Sequence, residues 1–312
     1  MSGGRPAPDG RPEILALFGP TGIGKTAVAV ALADRLRARG ENPVAISADA
    51  LQVYAGLETL TAAPTEAERR RLEHRLVACV PVTESFSVGR FMPLAHREID
   101  AALADGRRPI VVGGTGLYLR AALTELDLRP PPAPGVRERL EAQLAVRGPA
   151  ALHAELSRRS PAAAERIDPA DRSRIVRALE LLEGGDDSVA VAAPSGESQL
   201  WTSETRRPTV LVGLVAERGA LYERIGLRVR ALVAAGAVEE VRRAAAAGAS
   251  TTARAALGFE ELLAGDVEGL ERRTRNLAKR QLTWMRKLAG VHRVDVTGRD
   301  PGEAAEEILV SL

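Results

Sequence analysis

One cysteine, Cys79, is all that the 312 residues contain. That excludes an internal disulfide framework and a cysteine-built zinc site, and it suits a reducing, cytoplasmic setting. Aromatic residues make up only 3%, so Ala, Leu and Val have to fill the core. Lysine is nearly missing: Lys and Arg together number 43, yet lysine stands only at Lys25, Lys279 and Lys287. No apolar run approaches the roughly 18–20 residues that span a bilayer, so no membrane segment is expected. The stretch 1–11 is polar and rich in Gly and Pro. It lacks the apolar stretch of a signal peptide and reads as a disordered tail. The net charge is only +2. Charge as a whole therefore neither demands nor excludes a nucleic acid; a local basic patch would have to argue for one.

What is present is the mix of a globular chain, 45% hydrophobic and 27% charged, with enough apolar material for a core that needs no staples. The apolar run Ile14 to Phe18 reads as a buried strand, followed by a helix from about Lys25 to Arg39. Val44 to Ser47 is a second strand. Glu66 to His74 reads as a charged helix and Phe91 to Leu103 as an amphipathic one. Ile110 to Val112 is a third strand, ending at Gly113 and Gly114. Strand and helix in alternation predict an α/β fold with a parallel sheet flanked by helices. The prolines at 130, 131, 132 and 134 break that pattern. From Val136 to Leu182 only helices are legible, so a mainly helical insertion is expected. A loop follows from Gly184 to Pro208, then a returning strand at Val210 to Val215, then helices from Ala220 to Leu288. The expected division is a first core segment 12–128, an insertion 129–190 and a core continuation 191–312 with basic C-terminal helices.

Gly19-Pro20-Thr21-Gly22-Ile23-Gly24-Lys25-Thr26 matches G-x-x-x-x-G-K-[ST] and lies between a strand and a helix, the context of a P-loop. Such a loop turns backbone N–H groups and a helix N-terminus onto an anion. Lys25 adds a point charge, and the Thr26 hydroxyl is suited to Mg²⁺. The motif specifies a polyphosphate or diphosphate but no reaction. Asp49 follows the second strand and is expected at the same sheet edge. It can serve as a base, organise Mg²⁺, or merely cap a helix. Gly113-Gly114-Thr115-Gly116-Leu117-Tyr118 brings a hydroxyl to that edge, or is simply a strand-to-helix turn. The third strand lacks the terminal Asp that many P-loop kinases and ATPases use for Mg²⁺. Arg224 and Arg228 share a helix face. Arg272, Arg275, Lys279 and Arg286 recur at helical spacing opposite Leu277, Trp284 and Leu288. Both runs read as solvated faces or as anion and RNA contacts.

Taken in order, the strings resemble the bacterial tRNA dimethylallyltransferases, also called tRNA isopentenyltransferases. The resemblance rests on G-P-T-x-x-G-K-T from Gly19, D-x-x-Q-V-Y from Asp49, T-A-x-P-T from Thr61, F-S-V from Phe86 and V-G-G-T-G-L-Y from Val112. It continues with D-x-x-R-x-x-R-A-L-E from Asp171, L-Y-x-R-I from Leu221, G-F-x-E-L from Gly258 and K-R-Q-L-T-W from Lys279. It runs from about Ile14 to Val294.

The resemblance implies a P-loop NTPase-like core with a helical insertion on the tRNA anticodon stem-loop. It implies transfer of a dimethylallyl group from dimethylallyl diphosphate to N6 of the adenine 3′ of the anticodon, position 37, in tRNAs reading codons that begin with U. It implies a monomer that uses Mg²⁺. By matched position, Gly19, Thr21, Gly22, Gly24, Lys25 and Thr26 would hold the diphosphate, with Thr26 on Mg²⁺. Asp49 would accept the proton of the adenine amine or hold that amine for attack, and Thr115 would hydrogen-bond the diphosphate or its bridging oxygen. Arg224, seconded by Arg228, would stabilise the leaving group. Gln52 and Tyr54 would shape the pocket of the flipped base. Arg174, Arg177, Lys279, Arg280, Gln281 and Arg286 would line the RNA side.

The chain also departs from the family. Ala63 stands where the family commonly has Lys, and His74-Arg75-Leu76-Val77-Ala78 replaces a His-His-Leu-Ile-Asp stretch. Two other enzymes share part of the pattern: an isopentenyltransferase acting on free adenine nucleotides, and a P-loop small-molecule kinase binding ATP. A non-catalytic RNA-binding descendant is a third reading.

Overall fold

The computed structural model describes residues 13–129, 131–185 and 200–311. The expected tail at 1–11 and much of the loop expected at 184–208 lie outside them. The chain divides into two compact units, Met1–Glu125 with Trp201–Leu312, and Leu126–Leu200.

The first unit is built on a six-stranded sheet of order β4-β2-β6-β1-β7-β8, and every pairing in it is parallel. Its strands are β1 Ile14–Phe18, β2 Pro43–Ser47, β4 His74–Arg75, β6 Arg108–Gly113, β7 Thr209–Val215 and β8 Val291–Asp295. A separate pair joins β3 Tyr54–Ala55 to β5 Val80–Pro81. Central strands of a parallel sheet are covered on both faces and so read as unbroken apolar runs. β1 and β2 do so, with all five residues of each buried.

The helices of this unit are α1 Lys25–Ala38, α2 Glu58–Thr61, α3 Glu66–Arg71, α4 Val88–Ala104 and α5 Gly116–Leu123 in the first segment. Ser87 caps α4 through its side chain, and a Thr65–Glu68 capping box starts α3. The second segment adds Arg218–Ala234, Ala237–Ala246, Thr251–Arg254, Phe259–Leu263, Val267–Lys287 and Pro301–Val310.

The second unit carries only helices among its described residues: α6 Val136–Arg159, α7 Pro161–Ala164 and α8 Arg172–Glu183. After these, the helices of the first unit named above become α9 to α14. α6 bends at Gly148-Pro149, where Gly148 takes φ 76°. Leu140, Leu152, Leu156, Ile175 and Leu179 pack as this unit's own core. Asp171 caps α8 by accepting from the Arg174 amide.

One expectation is corrected, and two elements are added. The helix read over Glu66 to His74 stops at Arg71, because Leu72 turns extended (φ −146°) and is buried. His74 and Arg75 then pair with β2 as an edge strand. The strand Val291–Asp295 and the helix Pro301–Val310 were not expected. β8 is an edge strand with only Val294 buried, so it shows no apolar run.

Candidate functional site

β1 lies between β6 and β7, and β6 separates β1 from β2. The chain must cross over from β1 to β2, so the ends of β1, β2 and β6 open onto one crevice. There a cavity of about 600 Å³ is lined by Gly22, Gly24, Lys25 and Thr26 after β1, Asp49 and Gln52 after β2, and Gly114 and Thr115 after β6. Thr61, Ala62 and Ala63 close one side, with Arg228 of α9 beside them, and Arg280, Gln281 and Trp284 of α13 another.

Each loop shapes its part by local chemistry. Gly24 is the N-cap of α1 with φ 94°, a conformation that glycine takes without steric cost. Lys25 therefore starts the helix with its amine turned back on the loop, donating to the Gly19 carbonyl at 2.9 Å and the Pro20 carbonyl at 3.1 Å. Enclosure, and next the neighbouring Arg228 charge, lower its pKa to about 8, while Asp49 works in the opposite direction. Burial likewise lowers the pKa of Arg228, with Asp49 again opposing. Lys25, Arg228 and Asp49 thus form one electrostatic cluster, with two cations held close together in a poorly solvated space. Such a site favours an anion.

Asp49 heads a turn, not a helix. Its Oδ1 accepts from the Leu51 amide at 2.9 Å and the Gln52 amide at 3.4 Å. That pins the carboxylate and leaves Oδ2 without a protein partner among the described residues. Thr115 is the N-cap of α5, but its hydroxyl makes no cap bond, so the group that would ordinarily close the helix is available to the cavity. At Gly116 a Cβ would come within 2.1 Å of the Trp284 ring, so only glycine admits the indole there.

The predicted residues sort unevenly. Gly22, Gly24, Lys25, Thr26, Thr21, Asp49, Thr115, Gln52, Arg228, Arg280 and Gln281 all line the cavity. Gly19 is buried beneath it and holds the lysine through its carbonyl. Arg224 is exposed and lies against Gly24 instead of lining the cavity. Arg228 is the more enclosed of the two and lines the cavity.

Tyr54 does not reach the cavity. It is 1% exposed, and its hydroxyl is 2.7 Å from that of Thr252. Gln281 is no surface residue either. Its Oε1 accepts from the Thr21 amide at 2.8 Å and its Nε2 donates to the Gly114 carbonyl at 2.8 Å, so it ties two phosphate-side loops together. Lys279, Arg280 and Arg286 are exposed along α13. In the second unit Arg174 is exposed, 3.6 Å from Asp171. Arg177 is committed within that unit, 3.0 Å from Glu180 and 3.1 Å from the Arg129 carbonyl.

Two features went unread. The Thr61–Ala63 segment forms a wall, and its motif gave no hint of position. Trp284 packs on Gly116 and 4.6 Å from Trp201, a pairing between distant parts of the chain.

Among the described residues no cluster of three or more His, Cys, Asp or Glu can hold a metal. Thr26 lines the cavity, and its hydroxyl is a group that could hold a metal ion there. Among the same residues no helix is long and apolar enough to cross a membrane.

Residues 52–288 match the family model described as IPP transferase, and residues 12–84 match that of isopentenyl transferase. The tRNA dimethylallyltransferase of Thermobifida fusca is 43% identical over 290 residues, covering 89% of this chain and 88% of that protein. The crystal structure of the full-length tRNA isopentenylpyrophosphate transferase of Bacillus halodurans is similar at 33% identity. The alignment covers 96% of both chains with a TM-score of 0.67. A eukaryotic dimethylallyltransferase acting on tRNA shares the fold, with a TM-score of 0.72 at 21% identity, covering 96% of this chain and 80% of that one.

Proposed function

The chain belongs to the tRNA dimethylallyltransferase (IPP transferase) family, and from that membership we propose that it moves a dimethylallyl group from its diphosphate to N6 of adenine 37, beside the tRNA anticodon. The observation that carries the reading is the convergence of Lys25, Asp49, Thr115 and Arg228 on one cavity. An allylic carbon tolerates positive charge as its bond to the diphosphate oxygen breaks, so stabilising the departing anion is the main task. Lys25 and Arg228 supply two positive charges, the loop amides from Gly22 to Thr26 supply donors, and the Thr115 hydroxyl is a further donor.

N6 is a weak nucleophile. As its bond to the allylic carbon forms, it must lose a proton, and Asp49 Oδ2 is the acceptor. The two backbone bonds on Oδ1 hold that carboxylate while it acts. Thr26 would hold Mg²⁺ when it is bound, adding neutralising charge to the diphosphate. The adenine must leave its stack to enter, which costs least in a single-stranded loop. The exposed basic residues of α13 and the helical unit are the surfaces we assign to RNA.

A second reading, transfer to a free adenine nucleotide, would use the same P-loop and Asp49 of this cavity. One experiment separates them. Purified protein, Mg²⁺ and radiolabelled dimethylallyl diphosphate are incubated with unmodified tRNA, or with AMP, ADP or ATP. Label at the adenine beside the anticodon is expected. Label in nucleotides alone would favour the second reading, and ATP hydrolysis without label a kinase or ATPase.

A further inference from the structure

One buried carboxylate stands outside the cavity with no part in that scheme. Glu240, on α10, is 5% exposed and does not line the cavity. Its Oε1 accepts from the Thr59 amide at 2.8 Å and its Oε2 from the Leu60 amide at 2.7 Å. These amides belong to the first turn of α2. The residue before that helix is Leu57, which has no side chain to cap it. A helix of four residues does not hold itself together in water. The cap is therefore brought from a distant helix, and the desolvation of a buried carboxylate is accepted to supply it.

The other end of α2 faces the chemistry. The Thr61 carbonyl accepts from the Arg228 guanidinium at 3.3 Å. The next residue, Ala62, takes φ 44°, a left-handed conformation that a residue with a Cβ keeps only where its surroundings enforce it. Its carbonyl accepts from Gln52 Nε2 at 3.3 Å. Thr61 and Ala62 both line the cavity. The short helix is thus a strut, gripped at its N-terminus by Glu240 and delivering two carbonyls at its C-terminus.

We propose that Glu240 is a positioning residue for the transfer reaction: by clamping the N-terminus of α2 it fixes the Thr61 carbonyl, and through it the aim of the Arg228 guanidinium into the cavity. This rests on the reading of Arg228 as a stabiliser of the departing diphosphate. Glu240 itself touches no substrate. The larger part of its contribution, carried by the Thr61 carbonyl, therefore depends on Arg228 being present, which a purely structural carboxylate would not require.

The test is a double-mutant cycle on the full chain, with tRNA and dimethylallyl diphosphate as substrates. Glu240→Gln keeps the side-chain size but replaces one acceptor with a donor facing an amide. It is expected to lower kcat/KM for the donor about tenfold, with tRNA affinity unchanged. In an Arg228→Ala background the same change should cost less than about threefold. Glu240→Asp, which keeps the charge but shortens the reach, should lie between wild type and Glu240→Gln, and it substitutes if the Gln variant does not fold. Losses that multiply independently of Arg228 would overturn the proposal, as would a Glu240 variant that melts earlier yet transfers normally. If Arg228→Ala alone is fully active, the role of Arg228 is what fails, and the coupling falls with it.

Discussion

At Asp49 one oxygen is spent on architecture and the other is left for a proton. Asp49→Asn keeps an acceptor for the Leu51 and Gln52 amides and removes the basic oxygen, so the turn should survive while transfer slows by roughly 10²–10⁴-fold. Binding of dimethylallyl diphosphate, followed by calorimetry, should change little; its loss along with activity would show that Asp49 builds the anion site instead. Lys25 invites the complementary argument. Its folded pKa of about 8 lies below the ordinary 10.5. Between those values the unfolded chain binds more protons than the folded one, so the enclosed charge opposes folding at neutral pH and the penalty is relieved as pH rises from about 8 to 10.5. Lys25→Met should then raise stability at pH 7 by about 1–2 kcal/mol, with the gain shrinking towards pH 10.5, while donor binding is lost. Thermal melts at the two pH values check this. Wild-type donor affinity should fall above about pH 8 as the amine loses its proton.

At the scale of elements, the site hangs on one long helix. α13 sends Gln281 between the loops after β1 and β6, and lays Trp284 on Gly116. Gln281→Leu strands the Thr21 amide and the Gly114 carbonyl. It should cost about 1–3 kcal/mol in a denaturant melt and weaken donor binding, with no effect specific to RNA. An unchanged donor affinity would mean that the loops hold their shape without the bridge. This helix also shows where the sequence was and was not legible. The P-loop and the glycine turn at Gly113 could be read because each is a local device, a turn of fixed geometry between a buried strand and a helix, and Asp49 because it follows a buried strand. The apolar run of β1 announced its place in the sheet for the same reason. Gln281 is 167 residues from the carbonyl it meets, and nothing in its neighbours marks it as buried. A glutamine in a basic stretch looks like surface, and Tyr54 beside Gln52 looks like pocket, until the partners are seen. Which of Arg224 and Arg228 is the more enclosed was hidden likewise. Both lie on one helix face, and only the Thr61–Ala63 segment packing beside the second makes it the enclosed one.

At the scale of the whole molecule the net charge is only +2, so affinity for a polyanion has to come from how charge is placed. The arginines of the helical unit are largely answered within it. Glu180, its side chain fully buried, takes Arg137 at 2.7 Å and Arg177 at 3.0 Å. Arg139 pairs with Glu183, and Arg147 with Glu155 at 2.8 Å. Lys279 and Arg286 of α13 are exposed, and neither is in a salt bridge among the described residues. Counterion release counts cations free to meet phosphate, at a slope of roughly 0.7–0.9 per contact in a plot of log affinity against log salt. Lys279→Ala with Arg286→Ala should therefore weaken tRNA binding and flatten that slope by about 1.5, leaving the melting temperature and donor binding in place. Arg177→Ala should do the reverse. It breaks part of a buried network, so it should lower stability by about 1–3 kcal/mol and leave the salt slope nearly unchanged. Filter binding of tRNA over a range of salt, set beside melts of the same variants, tells the two apart. A salt slope that falls on loss of Arg177 would mean that its pairing with Glu180 opens when RNA is bound.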